Sequence, residues 1–533
     1  MTSTFHGLET ARRAMMTQQS ALYTLGHNVA NIKTPGYTRQ RVNFQQTEPY
    51  PNIGLNSPRM PGFVGTGVKA GSIQRIRDNF LDHQFRTQNS KTGYWEARYQ
   101  VLYQMEDVLG EPSTSGLAAQ LDRFWKSIQV LGGETPDAGA RTVVKENAQM
   151  IAETFKDFHD SLMRLRNDYK EDLDQTATNL NTYLEQLNQV NRQIREAEPH
   201  GYVTNDLYDE QDRLLDQLSE IVEISVKREA SSGNPNPAAE GTVTVTIAGT
   251  DLKLVDGRDA SALQTVEVNY DEEGYVTGLQ VGEGSLTFAD LPNGNLKSLI
   301  ETFGYLDQAG EVQPGLIPDL IDSLNEMAFR LATEINNIHS IGFTLPDVNG
   351  EVRRGGEFFD SSQFDRSNAA ANLVIHADIL ANLDNITAAG VNLDALTLEA
   401  RERYQELLNA DRNEEDYYEN LRDFLDDEDN FIPGIPKAVS GDKTNAQRLA
   451  DLFETSLQFE GAQTSILGFY QSLIGEFATT TQEAERMYYT TLTHLDSVNY
   501  NRQSVSSVSM DEELTLMIQF QHATMLQLET LRQ

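Results

Sequence analysis

From Ala140 to Glu198 the chain contains neither proline nor glycine, and no other stretch limits the possible folds as much. Phe158, Leu162, Leu165, Leu180, Leu184, Leu187 and Ile194 recur at spacings of three, four or whole turns, which places them on one face of a helix. At about 1.5 Å per residue, a helix of even roughly 35 to 40 of these residues is about 50 to 60 Å long. A strut of that length has to run along a bundle. A second helix is expected from Asp206 to Val222, beyond the break at Pro199-His-Gly201. A third is expected from Leu316 to Ile341, where Pro318 suits the first turn and Ile317, Ile321, Leu324, Ala328, Leu331, Ile335 and Ile338 form a heptad seam.

Both ends of the chain carry helix patterns that call for a partner. Leu8, Ala11, Met15, Gln18, Leu22, Leu25, Val29 and Ile32 alternate spacings of three and four, the seam of a coiled coil. The helix then meets Asn28-Val-Ala-Asn31-Ile-Lys-Thr34-Pro35-Gly36-Tyr37. There Pro35 removes a backbone donor and Gly36 supplies the positive φ of a tight turn, and Tyr37 to Phe44 alternates as a strand does. At the other end, Ser509-Met-Asp-Glu512 reads as a capping box. It opens a helix with an apolar stripe of Leu514, Ile518, Met525 and Leu528, flanked by Met517 and Leu531.

Between the helices the texture changes. Ser231-Ser-Gly-Asn-Pro-Asn-Pro237 is a linker. Thr242 to Ile247, Leu252 to Val255 and Val266 to Tyr270 alternate as half-buried strands, and Asp271-Glu-Glu-Gly274 turns the chain back into Tyr275 to Val281 as a hairpin. From Leu345 to about Gly441 the chain is acidic and loop-rich, with turn signals at Asn349-Gly350, Gly355-Gly356 and Pro433-Gly434 and a helix expected from Leu396 to Leu408. After Pro436 the pattern is helical, roughly Asn445 to Gln471, Phe477 to Asn499 and then the terminal helix.

Several kinds of chemistry are disfavoured. There is no cysteine, hence no disulfide, thiolate metal site or thiol nucleophile. A net charge of −38 argues against a nucleic-acid partner, although residues 1 to 48 hold Arg12, Arg13, Lys33, Arg39 and Arg41 against Glu9 and Glu48. The acidic run from Glu402 to Asp429 reads as a solvated face, because Asp426-Asp-Glu-Asp429-Asn-Phe lacks the alternating ligands and central glycine of a calcium loop. Gly65-Thr-Gly67-Val-Lys-Ala-Gly71 has the wrong spacing for a dinucleotide fingerprint, and no Lys-Ser/Thr pair follows as in a phosphate loop. No histidine pair has zinc-protease spacing. Ser440-Gly-Asp-Lys443 matches an acyl-transfer motif only in wording, since it falls in a loop. The start, Met1-Thr-Ser-Thr-Phe-His, lacks the succession of a cleaved signal peptide, and no run of about 18 apolar residues suits membrane insertion. No catalytic, cofactor-binding or metal-ligating residue is expected.

The wording of the two ends says more than their pattern. Asn28-Val-Ala-Asn-Ile-Lys-Thr-Pro-Gly-Tyr37-Thr-Arg-Gln40 resembles the N-terminal signature of the bacterial flagellar rod, hook and hook-associated proteins. Arg502-Gln-Ser-Val-Ser-Ser-Val-Ser-Met-Asp-Glu-Glu513, followed by Ile518-Gln-Phe-Gln-His-Ala523, resembles that family's C-terminal signature. The Gly65-Thr-Gly-Val element is similar to one that the family follows with a paired Arg and Asp, here Arg75 or Arg77 and Asp78. Gly201-Tyr-Val-Thr-Asn-Asp-Leu-Tyr-Asp-Glu-Gln-Asp-Arg-Leu-Leu215 and Gly294-Asn-Leu-Lys-Ser-Leu-Ile300 look like internal segments of the hook-associated members rather than of rod and hook subunits. The C-terminal helix departs from the family pattern after Ala523, where Thr524 to Gln533 ends soon and differs in character.

The resemblance implies a structural subunit that assembles with copies of itself in helical array between hook and filament. Its neighbours would be the hook protein, a second junction protein and the flagellin side, and a cytoplasmic chaperone would hold Leu514 to Leu531 before export. It also implies an extracellular flagellar location reached by type III export without a cleaved signal. The contacts would come from Leu8, Met15, Leu22, Leu25, Asn28, Asn31, Pro35, Gly36 and Tyr37, and from Leu514, Ile518, Phe520, Met525 and Leu528. The alternatives are a distal rod or hook subunit, or an axial scaffold with an extracellular binding or hydrolytic insert at Leu345 to Gly441.

The expected fold class is α+β and multidomain. Residues 1–48 and 497–533 form discontinuous terminal coiled-coil helices. Residues 49–230, 291–344 and 442–496 form a long-helix bundle, 231–290 a small β-rich domain, and 345–441 a mixed, acidic outer domain. Two end helices with narrow seams bury too little to offset the entropy of ordering them alone, so both termini are expected to be largely disordered in the free monomer and to fold when neighbouring subunits bury their seams. Circular dichroism tests this: the full-length monomer should show lower mean-residue helicity than a chain of residues 49–496, and equal or higher helicity in the full chain refutes the idea.

Overall fold

The computed structural model describes residues 4–48, 65–110, 116–346, 351–412, 416–459 and 462–532. Most of the loop expected from Glu48 to Gly62, the turn at Asn349-Gly350 and the side chain of Leu531 lie outside the described residues. The architecture is multidomain α+β, with long helices and several small sheets.

In chain order, α1 (Thr4–Ala30) leads to the ribbon β1 (Gln40–Gln46) and β2 (Val68–Arg75), then α2 (Asn79–Leu109), α3 (Leu117–Gly133), α4 (Ala138–Ala197) and α5 (Asn205–Ile221). Next come β3 (Ile224–Glu229), β4 (Thr242–Ile247), β5 (Lys253–Val255), β6 (Val266–Tyr270), β7 (Val276–Val281) and β8 (Gly284–Leu286). After α6 (Asn295–Phe303), β9 (Tyr305–Leu306) and β10 (Val312–Gln313) the chain enters α7 (Leu316–Ser340). The remainder holds α8 (Ala369–Asn372), α9 (Ala377–Ala381), α10 (Leu398–Asn409), α11 (Tyr417–Asp426), α12 (Thr444–Asp451), the hairpin β11 (Leu457–Phe459) and β12 (Ala462–Thr464), α13 (Ile466–Ser506) and α14 (Met510–Arg532).

The chain forms two compact units, one of residues 1–99, 171–313 and 484–533, the other of residues 100–170 and 314–483. In the first, β1 and β2 pair antiparallel with a bulge at Asn43/Phe44. Strands β3, β4 and β5 make one antiparallel sheet, and β6 to β10 make another with order β10-β9-β7-β6 and β8 paired to β7. Asparagines on α4 seat the β region by its main chain. Asn181 exchanges two 2.8 Å hydrogen bonds with the backbone of Val266, Asn188 donates to Ala260 O at 2.8 Å, and Asn191 both donates to Val243 O at 2.9 Å and accepts from its N–H at 3.0 Å. The helix α4 is 60 residues long, so it spans roughly 90 Å, well beyond the minimum the sequence required.

In the second unit α7 is the core helix, and the heptad residues Ile317, Ile321, Leu324, Ala328, Leu331, Ile335 and Ile338 are all buried. Its polar residues organise the segment that follows. Asn336 Oδ1 accepts from the N–H groups of Phe358 and Phe359 at 2.9 and 2.8 Å, and Asn336 Nδ2 donates to Phe359 O at 2.7 Å. The fully buried His339 places Nδ1 2.8 Å from Gly356 O, while Nε2 accepts from Thr387 N–H at 3.0 Å, so Nδ1 carries the proton. The acidic run is the solvated side of α10 and α11, whose Tyr404, Tyr417, Tyr418, Leu421, Phe424 and Leu425 point inward.

Two expectations need correction. The helix expected from Asn445 to Gln471 stops at Asp451, and the next helix runs unbroken from Ile466 to Ser506. The β11–β12 hairpin separates them, and Ser465 restarts the helix by accepting with Oγ from Gly468 N–H at 3.1 Å. Strand β2 was not anticipated either. Its segment, Val68 to Arg75, lacks the alternation of a half-buried strand because it is only partly covered along its length, with Arg75 alone fully buried.

Burial lowers His339 from the ordinary imidazole value to about 4, with Arg141 and His376 adding to the effect. The unfolded chain then binds the extra proton first as pH falls below about 6.5, so the stability this residue contributes is complete above that point and drains away toward pH 4. Urea unfolding should show the parent losing about 2 kcal/mol between pH 7 and pH 5 relative to His339→Gln; parallel pH dependences overturn the assignment.

Candidate assembly surface

The N-terminal signature is a turn that bends the chain back onto its own helix. Helix α1 ends at Ala30; Asn31 N–H and Nδ2 both reach His27 O, and Thr34 Oγ1 donates to Asn31 Oδ1 at 3.1 Å. Thr34-Pro35-Gly36-Tyr37 is then a four-residue turn closed by Tyr37 N–H to Thr34 O at 3.2 Å, with Gly36 at φ 80. Proline second and a positive-φ glycine third are what a type II turn requires. The turn delivers Tyr37 to Asn28, which is completely buried. Asn28 Oδ1 accepts from Tyr37 OH at 2.8 Å and Gln40 N–H at 3.0 Å, while Nδ2 donates to Gln40 O at 2.9 Å and to Glu513 Oε2 on α14 at 3.0 Å. Every hydrogen-bonding position of that carboxamide is used. Burial first, then Asp209, Asp206 and Glu513, raise the Tyr37 phenol well above its usual range and keep it a donor.

Beneath the turn lies a second network. Asp212 on α5, 1 % exposed, sits 2.9 Å from Arg75, 3.4 Å from Arg77, and 3.0 Å from both Arg86 and Arg228. Burial pushes its carboxyl up, but Arg77, Arg75, Arg228 and Arg86 together override that and hold it far below the carboxylate range. Around it, Asp209 accepts from Arg75 at 2.8 Å and from Thr38 N–H at 3.2 Å, Arg77 pairs with Asp82, and Asp216 bridges Arg86 and Arg502. Arg39 N–H donates to Ser506 O at 2.8 Å. The two terminal signatures, the Gly65–Arg77 element and the Gly201–Leu215 segment therefore meet at one place.

The pairing of Arg75 or Arg77 with Asp78 does not form. Asp78 caps α2 by accepting from Phe80 N–H, and both arginines turn to α5 and Asp82. Nor does Glu512 return to Ser509 as a capping box would have it; its carboxylate pairs with Arg39 at 2.5 Å. Asp212, Arg86 and Arg228 were not singled out in the sequence, and Glu513 stood there only as an acid suited to the start of its helix, although Asp209, Asp212 and Asp216 share one face of α5 at the spacing that collects arginines.

The terminal helices use a different face from the one their apolar residues mark. On α1 the buried residues are Ala14, Thr17, Ala21, Thr24, Leu25 and Asn28, small or polar apart from Leu25 and offset by one from the expected seam. Thr17 Oγ1 lies 3.2 Å from Val68 O, so small side chains let the ribbon lie close. Along α14 the inward stripe is Glu513, Met517, Phe520, Thr524 and Gln527, with Phe520 edge-on to Phe44 at 5.8 Å. Leu8 is 50 % exposed, Leu514 44 %, Ile518 56 %, Met525 65 % and Leu528 47 %. Met15, Leu22 and Asn31 are half-buried, and Pro35 and Gly36 are exposed. Asn28, Leu25 and Phe520 thus build the chain's own fold, while Leu8, Leu514, Ile518, Met525 and Leu528 leave apolar surface open.

End helices folded back on each other around shared signatures define a flagellar axial protein. Residues 8–38 match the family model "Flagella basal body rod protein", and residues 102–359 match "Flagellar hook-associated protein FlgK helical domain". The chain is 37 % identical to flagellar hook-associated protein 1 of Bacillus subtilis over 98 % of its own length and 95 % of that protein, and 24 % identical to that of Escherichia coli over 96 % and 95 %. It belongs to the flagellar hook-associated protein 1 family, structural proteins of the junction between hook and filament. The fold is similar to the flagellar hook junction protein FlgK of Burkholderia pseudomallei, with a TM-score of 0.57 at 15 % identity, over 80 % of this chain and all of that one.

Replacing Asp212 by Asn leaves four guanidinium groups around a neutral amide. Thermal or urea unfolding should show a loss of about 3 to 5 kcal/mol; a loss below about 1 kcal/mol means that the arginines hold their positions without it.

Proposed function

We propose that this chain is a non-enzymatic adaptor, exported without a cleaved signal and laid down outside the cell as a short helical array between hook and filament. It contacts hook protein on one side and a second junction protein and the flagellin side on the other. The observation that carries this reading is the apolar stripe Leu514, Ile518, Met525 and Leu528, exposed on a helix whose inward face is already satisfied. Such a face is soluble only while something else covers it, which suits a subunit that locks on arrival at a growing tip and a cytoplasmic chaperone that covers Leu514 to Leu531 beforehand.

The family's structural members favour a non-catalytic role. The acyl-transfer-like Ser440-Gly-Asp-Lys443 is an exposed turn whose Asp442 accepts from Gly390 N–H at 2.6 Å. A cavity beside it, lined by Arg141, Phe343 and Ala438, is only about 10 Å³. Within the subunit we assign residues 1–48 with 497–533 to the assembling ends, 49–230, 291–344 and 442–496 to the bundle, 231–290 to the β region and 345–441 to the outer, acidic part.

Electron microscopy of cells lacking the protein, with immunogold on the parent strain, tests the role. Bare hooks, flagellin in the medium and label confined to the hook–filament boundary are expected, whereas normal filaments refute it. Ile518→Asp with Leu528→Asp should lower filament number at least about tenfold, since each apolar side chain removed from an interface costs roughly 1.5 to 3 kcal/mol, while the purified variant melts as the parent does. Normal filament numbers place the contact on another face.

A further inference from the structure

Helices α1 and α14 run antiparallel. Asn28, near the end of α1, meets Glu513 at the start of α14, and Gln18 meets Thr524 Oγ1 at 3.4 Å farther along. The α1 face of the seam between them fixes the register only weakly, while Glu512 on Arg39 and Phe520 against Phe44 hold α14 from the ribbon side. The α1 side of the seam is Ala14, Thr17, Ala21 and Thr24, small residues of similar size at heptad spacing, and the middle of its α14 side is Met517, Phe520 and Thr524. Sliding one helix by a heptad, about 10 Å, replaces small by small.

Glu513 is the buried exception within the helix–helix seam itself. It is 1 % exposed and one turn into its helix, and its carboxylate oxygen accepts a hydrogen bond from Asn28 Nδ2 at 3.0 Å. Asn28 is itself fixed by Tyr37 and by both backbone groups of Gln40. A heptad slip sets the carboxylate against Ala21 or beyond the end of α1, where nothing replaces that donor. A buried charge stripped of its partner costs several kcal/mol, whereas slipping the small residues costs little.

We propose that Asn28 and Glu513 act as a register pin, selecting the single alignment of α14 on α1 and thereby setting which residues of α14 face the next subunit. Asn28 is the fixed half, because the signature turn orients it whether or not α14 is present. Glu513 is the reading half. The role is positional and is distinct from the apolar contacts that hold subunits together. It draws on the assembly reading only for the use made of the outward face.

The absence of cysteine makes the register directly readable. Cysteine pairs at Gln18 with Thr524 (native alignment) and at Ala11 with Thr524 (slipped by a heptad) are introduced in full-length chains, and isolated flagella are treated with a short bismaleimide. An intrachain cross-link gives a fast-migrating monomer. In the parent and in Glu513→Gln, which keeps the acceptor, only the native pair should react. In Glu513→Met, which leaves Asn28 bonded to Tyr37 and Gln40, the slipped pair should react at least one-third as often as the native one. Native-only cross-linking in Glu513→Met, or cross-linked dimers in place of monomers in the parent, overturns the pin. Should Glu513→Met fail to enter flagella, Thr524→Met serves as the comparison: it removes a seam hydrogen bond but keeps the pin. Its failure as well overturns the proposal, and its normal incorporation supports it. If even the parent is missing from isolated flagella by immunoblot, the assembly reading fails; the register is then read on the purified chain by the same pairs.

Discussion

A single carboxylate, Asp212, lies at the centre of the charge network against which this subunit's ends are set. It is almost wholly removed from water and lies within ion-pair distance of arginines from β2, the β2–α2 connection, α2 and β3. Each of those arginines would be costly in that interior unpaired, and Asp209, Asp82, Asp216 and Glu240 share the pairing with Asp212. Arg502, reaching Asp216 on the next turn of α5, draws the end of α13 into the same group and lies 3.7 Å over the Phe85 ring. The segments so joined are widely separated in sequence, and their common meeting place explains why a chain with its termini far apart in number brings them together in space.

Above that electrostatic base the terminal helices divide their surfaces by chemistry. On α1 mostly small and hydroxyl-bearing residues face inward, where the ribbon and the opposite helix need close approach, and along α14 Met517 and Phe520 face inward while Leu514, Ile518, Met525 and Leu528 remain outward. Most of the apolar residues thus lie opposite to where an amphipathic helix on a finished monomer would put them. That is the arrangement of a part whose core is completed by its neighbours. The acidity of the remainder suits the same economy, since strong like charge disfavours association of faces not meant to meet.

Much of this was legible in the sequence. The strut, α5, α7 and its heptad seam, and the β6–β7 hairpin followed from periodicity and turn chemistry, because each is a local pattern that burial enforces directly. The signature turn was legible because proline and glycine fix backbone angles whatever surrounds them. What escaped was set by distant partners. The inward faces of α1 and α14 were not read, because apolar periodicity reports that a face will be covered and not by whom. The hairpin before α13 was missed because its short strands have no period to detect. Arg75 and Asp212 could be read only as a motif and an acidic helix face, since nothing local states that residues 137 positions apart will share a site.

The asparagines of α4 have a consequence for how such a subunit diversifies. Asn181, Asn188 and Asn191 bind peptide groups and not the side chains of the strands they support. Peptide groups are the same whatever residues flank them, so the strut grips the β region without reading its sequence. Outward strand positions are thereby released from any duty in docking. A change of side chain on the outward face of these strands therefore leaves the strut's grip on their main chain intact.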